Sequence, residues 1–205
     1  MRKIIVQEFI TIDGVMQAPG GSKEDEAEGF KFGGWTAPYF GTVYAEAEEF
    51  MKRWMESTDI LLGLKTFKIF AGYWPEHADF WPGINDVTKY VASTSIDQAK
   101  IDKFGWNNSV LVNGIDDIKK LKESAGGVIK VHGSGKLVET LFKYDLVDEL
   151  WLMRFPITLG TGKRLFEEGT IPAAWEMTDS LITSNGIVFT YFKRAGEVKT
   201  GTIGK

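Results

Sequence analysis

Short apolar runs alternate with stretches of helical period along most of the chain, and this alternation limits the fold more than any other feature. The strand candidates are Lys3–Ile10, Asp59–Gly63, Lys89–Thr94, Ser109–Asn113, Val128–His132 and Asp148–Pro156. Strands that alternate with helices form parallel sheets, because a crossover helix returns the chain to the same end of the sheet. We therefore predict an α/β fold with a mostly parallel central sheet flanked by helices.

The helical stretches are amphipathic. In the first of them, Val43, Ala47, Phe50 and Trp54 follow one another at spacings of four, three and four, with charged residues opposite. The helix candidates are Tyr39–Ser57, Asp116–Ser124 and Ser134–Asp145.

The C-terminal third has a different pattern. Two alternating runs flank Ser184-Asn185-Gly186, and Asn-Gly is a strong hairpin signal, so an antiparallel hairpin should complete the sheet. The segment Asp13–Pro38 has no period and predicts a long loop. We expect one domain over residues 1–194 and a frayed tail over residues 195–205.

Composition excludes several functional classes. The chain has no cysteine, which removes thiolate catalysis and disulfides, and its two histidines, His77 and His132, are too few for a histidine-rich metal cluster, so we expect no metal. A formal net charge of −4 argues against a nucleic-acid coat. No apolar run reaches the length of a membrane span or a secretory leader, so we expect a cytoplasmic protein that binds no membrane.

Small-residue turns stand between strands and helices at several points. Gly133-Ser134-Gly135 follows the strand ending at His132 and precedes the helix beginning near Lys136. Such a turn serves chain reversal, but the free N–H groups of a helix N-terminus also bind anions. The residues alone leave both interpretations open.

Two further strand ends carry residues that suit a phosphate. Gly63 is followed by Lys65 and Thr66, and Ser93 and Thr94 follow a later strand. An ammonium and hydroxyls there could meet a phosphate, or they could be a solvated lysine and ordinary helix caps.

Rings and carboxylates supply the remaining candidates. Trp35, Tyr44 and Trp74 could line a pocket for a flat heterocycle, or they could belong to the core. Asp13 and Glu48 are the candidate proton donors, although Asp13 next to Gly14 is also typical of a turn and Glu48 of a solvated helix face.

Taken in order, these segments resemble the reductase domain of bacterial riboflavin-biosynthesis deaminase-reductases, a family with the dihydrofolate reductase fold. The resemblance rests on FITIDGVMQAP, on DILLGLKTFKIFAGYWP and above all on VHGSGKLVETLFKYDLVDELWLMRFPITLGTGKRLF. It extends from Lys3 to about Arg194, so we expect a stand-alone member of this group.

The resemblance implies that NADPH binds along the carboxyl ends of the strands. The implied cofactor residues are Thr11, Ile12 and Val15 at the nicotinamide, Lys65 and Thr66 after Gly63 at the pyrophosphate, Ser93 and Thr94 at the adenosine-side phosphate, and Gly133, Ser134, Gly135, Lys136 and Leu137 at the second helix end. The fold also implies a cis peptide between Gly133 and Ser134.

Two departures from the family pattern affect specificity. Leu64 replaces an arginine, so the preference for NADPH over NADH should be weaker, and Ala47 replaces the carboxylate with which dihydrofolate reductases bind folate. We expect an NADPH-dependent reductase, of the aminouracil reductase type, that acts as a homodimer on a small heterocyclic or carbonyl substrate such as a ribosylaminopyrimidine or a pterin. The alternative is a non-catalytic nucleotide-binding homodimer with the same fold.

Overall fold

Eight strands form one mixed sheet in a computed structural model that describes residues 1–167 and 170–204, with Thr42 described in its backbone only. The strands are β1 (Ile4–Thr11), β2 (Asp59–Gly63), β3 (Lys89–Ala92), β4 (Ser109–Val112), β5 (Ile129–His132), β6 (Glu149–Phe155), β7 (Ala174–Ile182) and β8 (Val188–Gly196). The helices are α1 (Phe40–Glu46), α2 (Glu48–Trp54), α3 (Leu64–Ala71), α4 (Gln98–Asp102), α5 (Gly114–Glu123) and α6 (Gly135–Lys143).

The strand order is β4-β3-β2-β5-β1-β6-β8-β7, and the first six strands of this order run parallel. The last two strands are antiparallel to their neighbours, with β7 and β8 joined through the turn at Asn185 and Gly186. Gly186 has a φ of +85°, a conformation that the Asn-Gly sequence favours. The predicted α/β class, parallel sheet and C-terminal hairpin are confirmed.

The predicted helix Tyr39–Ser57 is divided into α1 and α2. Ala47 lies between them with φ −127° and ψ 33°, although its N–H still bonds the carbonyl of Val43. Val43, Ala47, Phe50 and Trp54 are all buried, so the apolar spacing continues across the kink and does not reveal it. The short helix α4 was not predicted from the sequence; the Asp97 side chain caps it by accepting a hydrogen bond from the N–H of Lys100.

Alternate residues of β2 show how the helices cover the sheet. Leu61 packs with α5 and α6 on one face, whereas Ile60 and Leu62 pack with Phe67 of α3 on the other. The helix α2 lies on this second face, where Phe50 and Trp54 pack against β6 and β8.

The connections from the two central strands diverge. From β1 the chain passes through α2 to β2 on one side, and from β5 it passes through α6 to β6 on the other. A crevice opens at such a switch point, beyond the carboxyl ends of the strands. The crevice of this fold therefore lies between β1 and β5.

The last strand, β8, continues to Gly196, so it includes the first two residues of the predicted tail over residues 195–205. The last residue of that predicted tail, Lys205, lies outside the described residues. In the part of the chain that is described, none of the helices has the length and apolar character needed to cross a bilayer.

Candidate functional site

A cleft of about 1300 Å³ opens at this switch point. The last paired residues of β1 and β5 are Gln7 and His132, and both line the cleft, so it begins where the two strands separate. Among the residues that the structure describes, those lining a smaller, mostly apolar hollow of about 330 Å³ are not shared with the cleft and include no helix N-terminus.

Two helix N-termini meet at the cleft. The helix α3 begins after Gly63, and α6 begins after Ser134. The Oγ of Ser134 accepts a hydrogen bond of 2.9 Å from the N–H of Gly63, and a Cβ atom on Gly133 would lie 3.4 Å from the side chain of Thr66. The first N–H groups of both helices are therefore held beside one another, which suits an anion with more than one phosphate.

The turn before α6 differs from the expectation. Gly133 has a φ of +55° and Ser134 lies in the left-handed region with φ 69° and ψ 49°, and the peptide bond between them is trans. The predicted cis peptide is wrong. Two successive left-handed residues reverse the chain here, and the Ser134 side chain is bonded to Gly63, so the turn forms without a cis bond.

Most of the sequence-predicted cofactor residues come together in the cleft. The lining includes Gly63, Lys65, Thr66, Ser93, Thr94, Gly133, Ser134, Gly135, Lys136 and Leu137. The three segments that the sequence left open as ordinary turns and caps therefore share one surface.

The three residues expected at the nicotinamide, Thr11, Ile12 and Val15, lie outside the cleft lining. Thr11 and Val15 are fully buried and bond each other, while Ile12 is mostly exposed, and none of the three lines the cleft. The loop closes on itself through these bonds, so the residues that follow, beginning with Met16 and Gln17, line the cleft instead. An alternating pattern cannot locate such a shift, because it arises from bonds within the loop.

Neither predicted proton donor lies in the cleft lining. The Asp13 carboxylate accepts bonds from the Thr11 hydroxyl and from the N–H groups of Leu159 and Gly160. Although partial burial opposes it, these bonds lower the pKa of Asp13, so this group stays ionised and fixes the loop. Glu48 is exposed at the start of α2.

A long loop covers one side of the cleft and is fastened by Asp25. Its carboxylate binds the Nζ atoms of Lys65 at 2.5 Å and Lys163 at 2.7 Å. Burial alone would raise the pKa of Asp25, but the two ammonium groups lower it to about 2. Gln17 also fastens the loop, since it donates to the carbonyls of Asp25 and Ala27 and accepts from the Lys163 N–H.

Aromatic side chains form a separate part of the cleft lining, which we call the aromatic compartment. It is defined by Phe9, Trp54, Phe70 and Trp74, with Phe9 stacked on Trp54 at 5.4 Å between ring centroids. Of the three predicted ring residues, Trp74 is the one in the cleft lining.

The other two predicted rings lie elsewhere. Trp35 is buried and donates its indole N–H to the carbonyl of Gln17, so it supports the covering loop. Tyr44 is 53% exposed on α1.

Two polar side chains project into the aromatic compartment from adjacent strands. Gln7 donates to the carbonyl of Trp54, which leaves its Oε1 buried without a partner, and the Nε2 of His132 is likewise unpaired among the described residues. Burial, together with the nearby charge of Lys130, lowers the pKa of His132 to about 3, so its ring is neutral. Because buried polar atoms are normally paired, these two atoms are available to a ligand.

Lys130, on β5, contacts the end of the helix α2 that carries Trp54 of this compartment. Its Nζ donates to the carbonyls of Arg53, Trp54 and Glu56 at the end of α2. Burial lowers its pKa to about 8. The contact fixes Trp54 relative to β5.

Sequence reasoning missed Glu8, a carboxyl on the central strand β1. It is 4% exposed and lines the cleft, and its Oε1 has no partner among the described residues. Burial and the nearby Glu24 raise its pKa well above the usual range. The available signal was a single acid at a position where the strand pattern requires an apolar residue.

Comparisons with known proteins identify the family and the fold. The family model described as the RibD C-terminal domain matches residues 2–189. The uncharacterized protein YyaP of Bacillus subtilis (strain 168) is 31% identical over 137 residues, which are 63% of this chain and 70% of YyaP.

Solved structures show the same fold at low identity. A putative riboflavin biosynthesis protein from Shewanella sp. PV-4 has a TM-score of 0.66 at 21% identity, with 94% of this chain and 99% of that chain covered. A pyrimidine reductase-like protein from Corynebacterium diphtheriae has 0.58 at 10%, with 96% and 93% covered. Dihydrofolate reductase from Enterococcus faecalis, complexed with NADP(H) and RAB-propyl, has 0.56 at 13%, with 94% and 96% covered. The fold is dihydrofolate reductase-like, and the chain belongs to the RibD C-terminal domain family.

Proposed function

We propose that this protein is an NADPH-dependent reductase that transfers hydride to a small heterocyclic or carbonyl acceptor. The convergence of the α3 and α6 N-termini at the cleft carries this proposal. Both helices direct unpaired N–H groups and the positive ends of their dipoles to one place, where Lys65 adds a charge. This combination fits a pyrophosphate, and Ser93 and Thr94 offer hydroxyls farther along the same cleft.

The aromatic compartment suits the substrate that accepts the hydride. Its rings can stack on a flat heterocycle. Gln7 Oε1 can accept a hydrogen bond, and the unpaired Nε2 of the neutral His132 ring can donate or accept one, depending on the tautomer. A ribosylaminopyrimidine or a pterin has the matching N–H and carbonyl groups. When bound, NADPH would supply the hydride, and the protein would orient both partners and exclude water.

The experiment is a titration with NADPH followed by turnover assays. Binding should appear as a change in tryptophan fluorescence, and NADPH oxidation should be followed at its absorbance band with pterins, aminopyrimidines and quinones. Absence of NADPH binding would refute the proposal, and tight binding without oxidation across the panel would favour a nucleotide-binding protein. The expected homodimer stays a prediction, which sedimentation equilibrium would test.

A further inference from the structure

Glu8 occupies an unusual position at the base of the cleft. It is the first residue of β1 beyond the last β1–β5 pair, Gln7 with His132, and it lines the cleft while remaining 4% exposed. Its Oε1 is buried and has no hydrogen-bond partner within the described ranges. A carboxyl left in this state costs free energy, which a ligand with matching groups would recover.

Successive side chains of β1 point to opposite faces of the sheet, and this alternation shows which part of the cleft Glu8 faces. Val6 and Ile10 belong to the apolar cluster against α6, and Glu8 lies between them on the same face. Gln7 projects from the opposite face, toward the aromatic compartment. Glu8 therefore lies on the face of the sheet that α6 covers, apart from the aromatic compartment that the proposed function assigns to the acceptor, and this position leaves it to the cofactor.

Its surroundings favour the neutral form of the carboxyl. Burial, and after it the charge of Glu24, raise the pKa of Glu8 well above the ordinary range. The Oε2 of Glu24 is fixed by bonds from the N–H groups of Gly20 and Gly21, so this second carboxylate stays close. A protonated carboxyl presents one donor and one acceptor side by side.

We propose that Glu8 binds the primary carboxamide of the nicotinamide ring of NADPH. The carboxamide has one carbonyl acceptor and an N–H donor in adjacent positions, which complements the O–H and C=O of a neutral carboxyl. The inference rests on the proposed function, and it identifies a cofactor-orienting side chain that neither the family match nor the motifs indicated.

The test compares ligands that differ at this one group. Binding of NADP, of its 3-acetylpyridine analogue and of 2′-phospho-ADP-ribose, which lacks the ring, should be measured by calorimetry for wild type and the Glu8→Ala, Glu8→Gln and Glu123→Ala variants. We expect Glu8→Ala to weaken NADP binding about tenfold, the value of one to two hydrogen bonds, and to leave 2′-phospho-ADP-ribose within about twofold. Glu8→Gln, whose amide keeps a donor and an acceptor, should retain most of the affinity, and Glu123→Ala on an exposed helix end should change nothing.

The outcomes separate the two proposals. Equal wild-type affinity for NADP and the acetylpyridine analogue, a measurement that needs no variant, would overturn the role of Glu8. A Glu8→Ala variant that loses affinity for both NADP and 2′-phospho-ADP-ribose would overturn it as well. Absence of wild-type binding to all three ligands would instead refute the proposed function on which it rests.

Discussion

The Oγ of Ser134 accepts a hydrogen bond from the backbone N–H of Gly63, and this bond of 2.9 Å joins the N-termini of two helices that lie far apart in the sequence. Ser134 adopts a left-handed conformation to do so, with φ 69°. A non-glycine residue in this region is strained by about 1–3 kcal/mol. The serine therefore combines backbone strain with a bond that fixes the cleft.

Two substitutions of Ser134 should separate these effects. Ser134→Ala keeps the strain and leaves the Gly63 N–H without its partner, so it should lower the free energy of unfolding by about 1 kcal/mol. Ser134→Gly also loses the bond but relieves the strain, and it should cost less. Urea denaturation would measure both, with Ser124→Ala on the exposed end of α5 as the control. A glycine variant less stable than the alanine variant would contradict the assigned strain.

The lysine after Gly63 should contribute charge to cofactor binding. Lys65→Ala should weaken NADPH about tenfold, because it removes a charge-assisted contact to phosphate, whereas Leu64→Ala should have a smaller effect. Lys68→Ala, on the same helix but outside the cleft lining, is the matched control. If Lys65→Ala and Lys68→Ala bind NADPH equally well in a fluorescence titration, Lys65 does not contact the cofactor.

Leu64 should limit the preference for NADPH over NADH. It is half-buried at the start of α3 and lines the cleft, where an apolar side chain offers nothing to a 2′-phosphate. Leu64→Arg should widen the ratio of NADPH to NADH affinity about tenfold, since guanidinium binds phosphate through paired bonds. Leu64→Gln supplies length without charge and should leave the ratio close to that of wild type. An unchanged ratio in the arginine variant would place the 2′-phosphate elsewhere.

Asp25 should hold the covering loop closed. Asp25→Ala removes the carboxylate shared by Lys65 and Lys163, and because both lysines are partly exposed, the free energy that holds this loop closed should fall by about 1 kcal/mol. The expected result is faster proteolytic cleavage between residues 19 and 36, with global stability nearly unchanged. Glu26→Ala, at an exposed neighbouring position, is the control. Equal cleavage rates for all three proteins would show that Gln17 and the backbone alone hold the loop.

The pattern of apolar residues predicted the sheet well, because the burial of a strand and the period of a helix both depend on residues that are close in the sequence. The segments around Gly63 and Gly133 were assigned to one site by the family resemblance, and both line the cleft because parallel strands end at the same edge of a sheet. The kink at Ala47 could not be predicted, since the apolar spacing across it is unbroken.

The polar groups at the base of the cleft depend on tertiary contacts. Whether Glu8 has a partner is decided by residues far away in the chain, so its unpaired state becomes visible only in the folded protein. The Thr11–Val15 loop shows the same limit, because its internal bonds are joined by bonds to the Asp13 carboxylate from the N–H groups of Leu159 and Gly160, which lie far along the chain. The hydrogen bond between Ser134 and Gly63 is likewise a contact between segments that are distant in the sequence.

The buried ring of His132 should make the protein less stable in acid. Its pKa is about 3 when folded, against 6.5 as the ordinary value, so between these limits the unfolded chain binds a proton that the folded chain does not. The free energy of unfolding therefore falls as the pH decreases through this window, by at most about 1.4 kcal/mol per pH unit for one proton. In His132→Asn this contribution should vanish, and urea denaturation between pH 4 and pH 6, a window of about 2 units, should show a flatter dependence than wild type. His77→Asn, in the loop after α3, is the matched histidine deletion, and a His132 variant with the wild-type slope would mean that the folded protein protonates this ring.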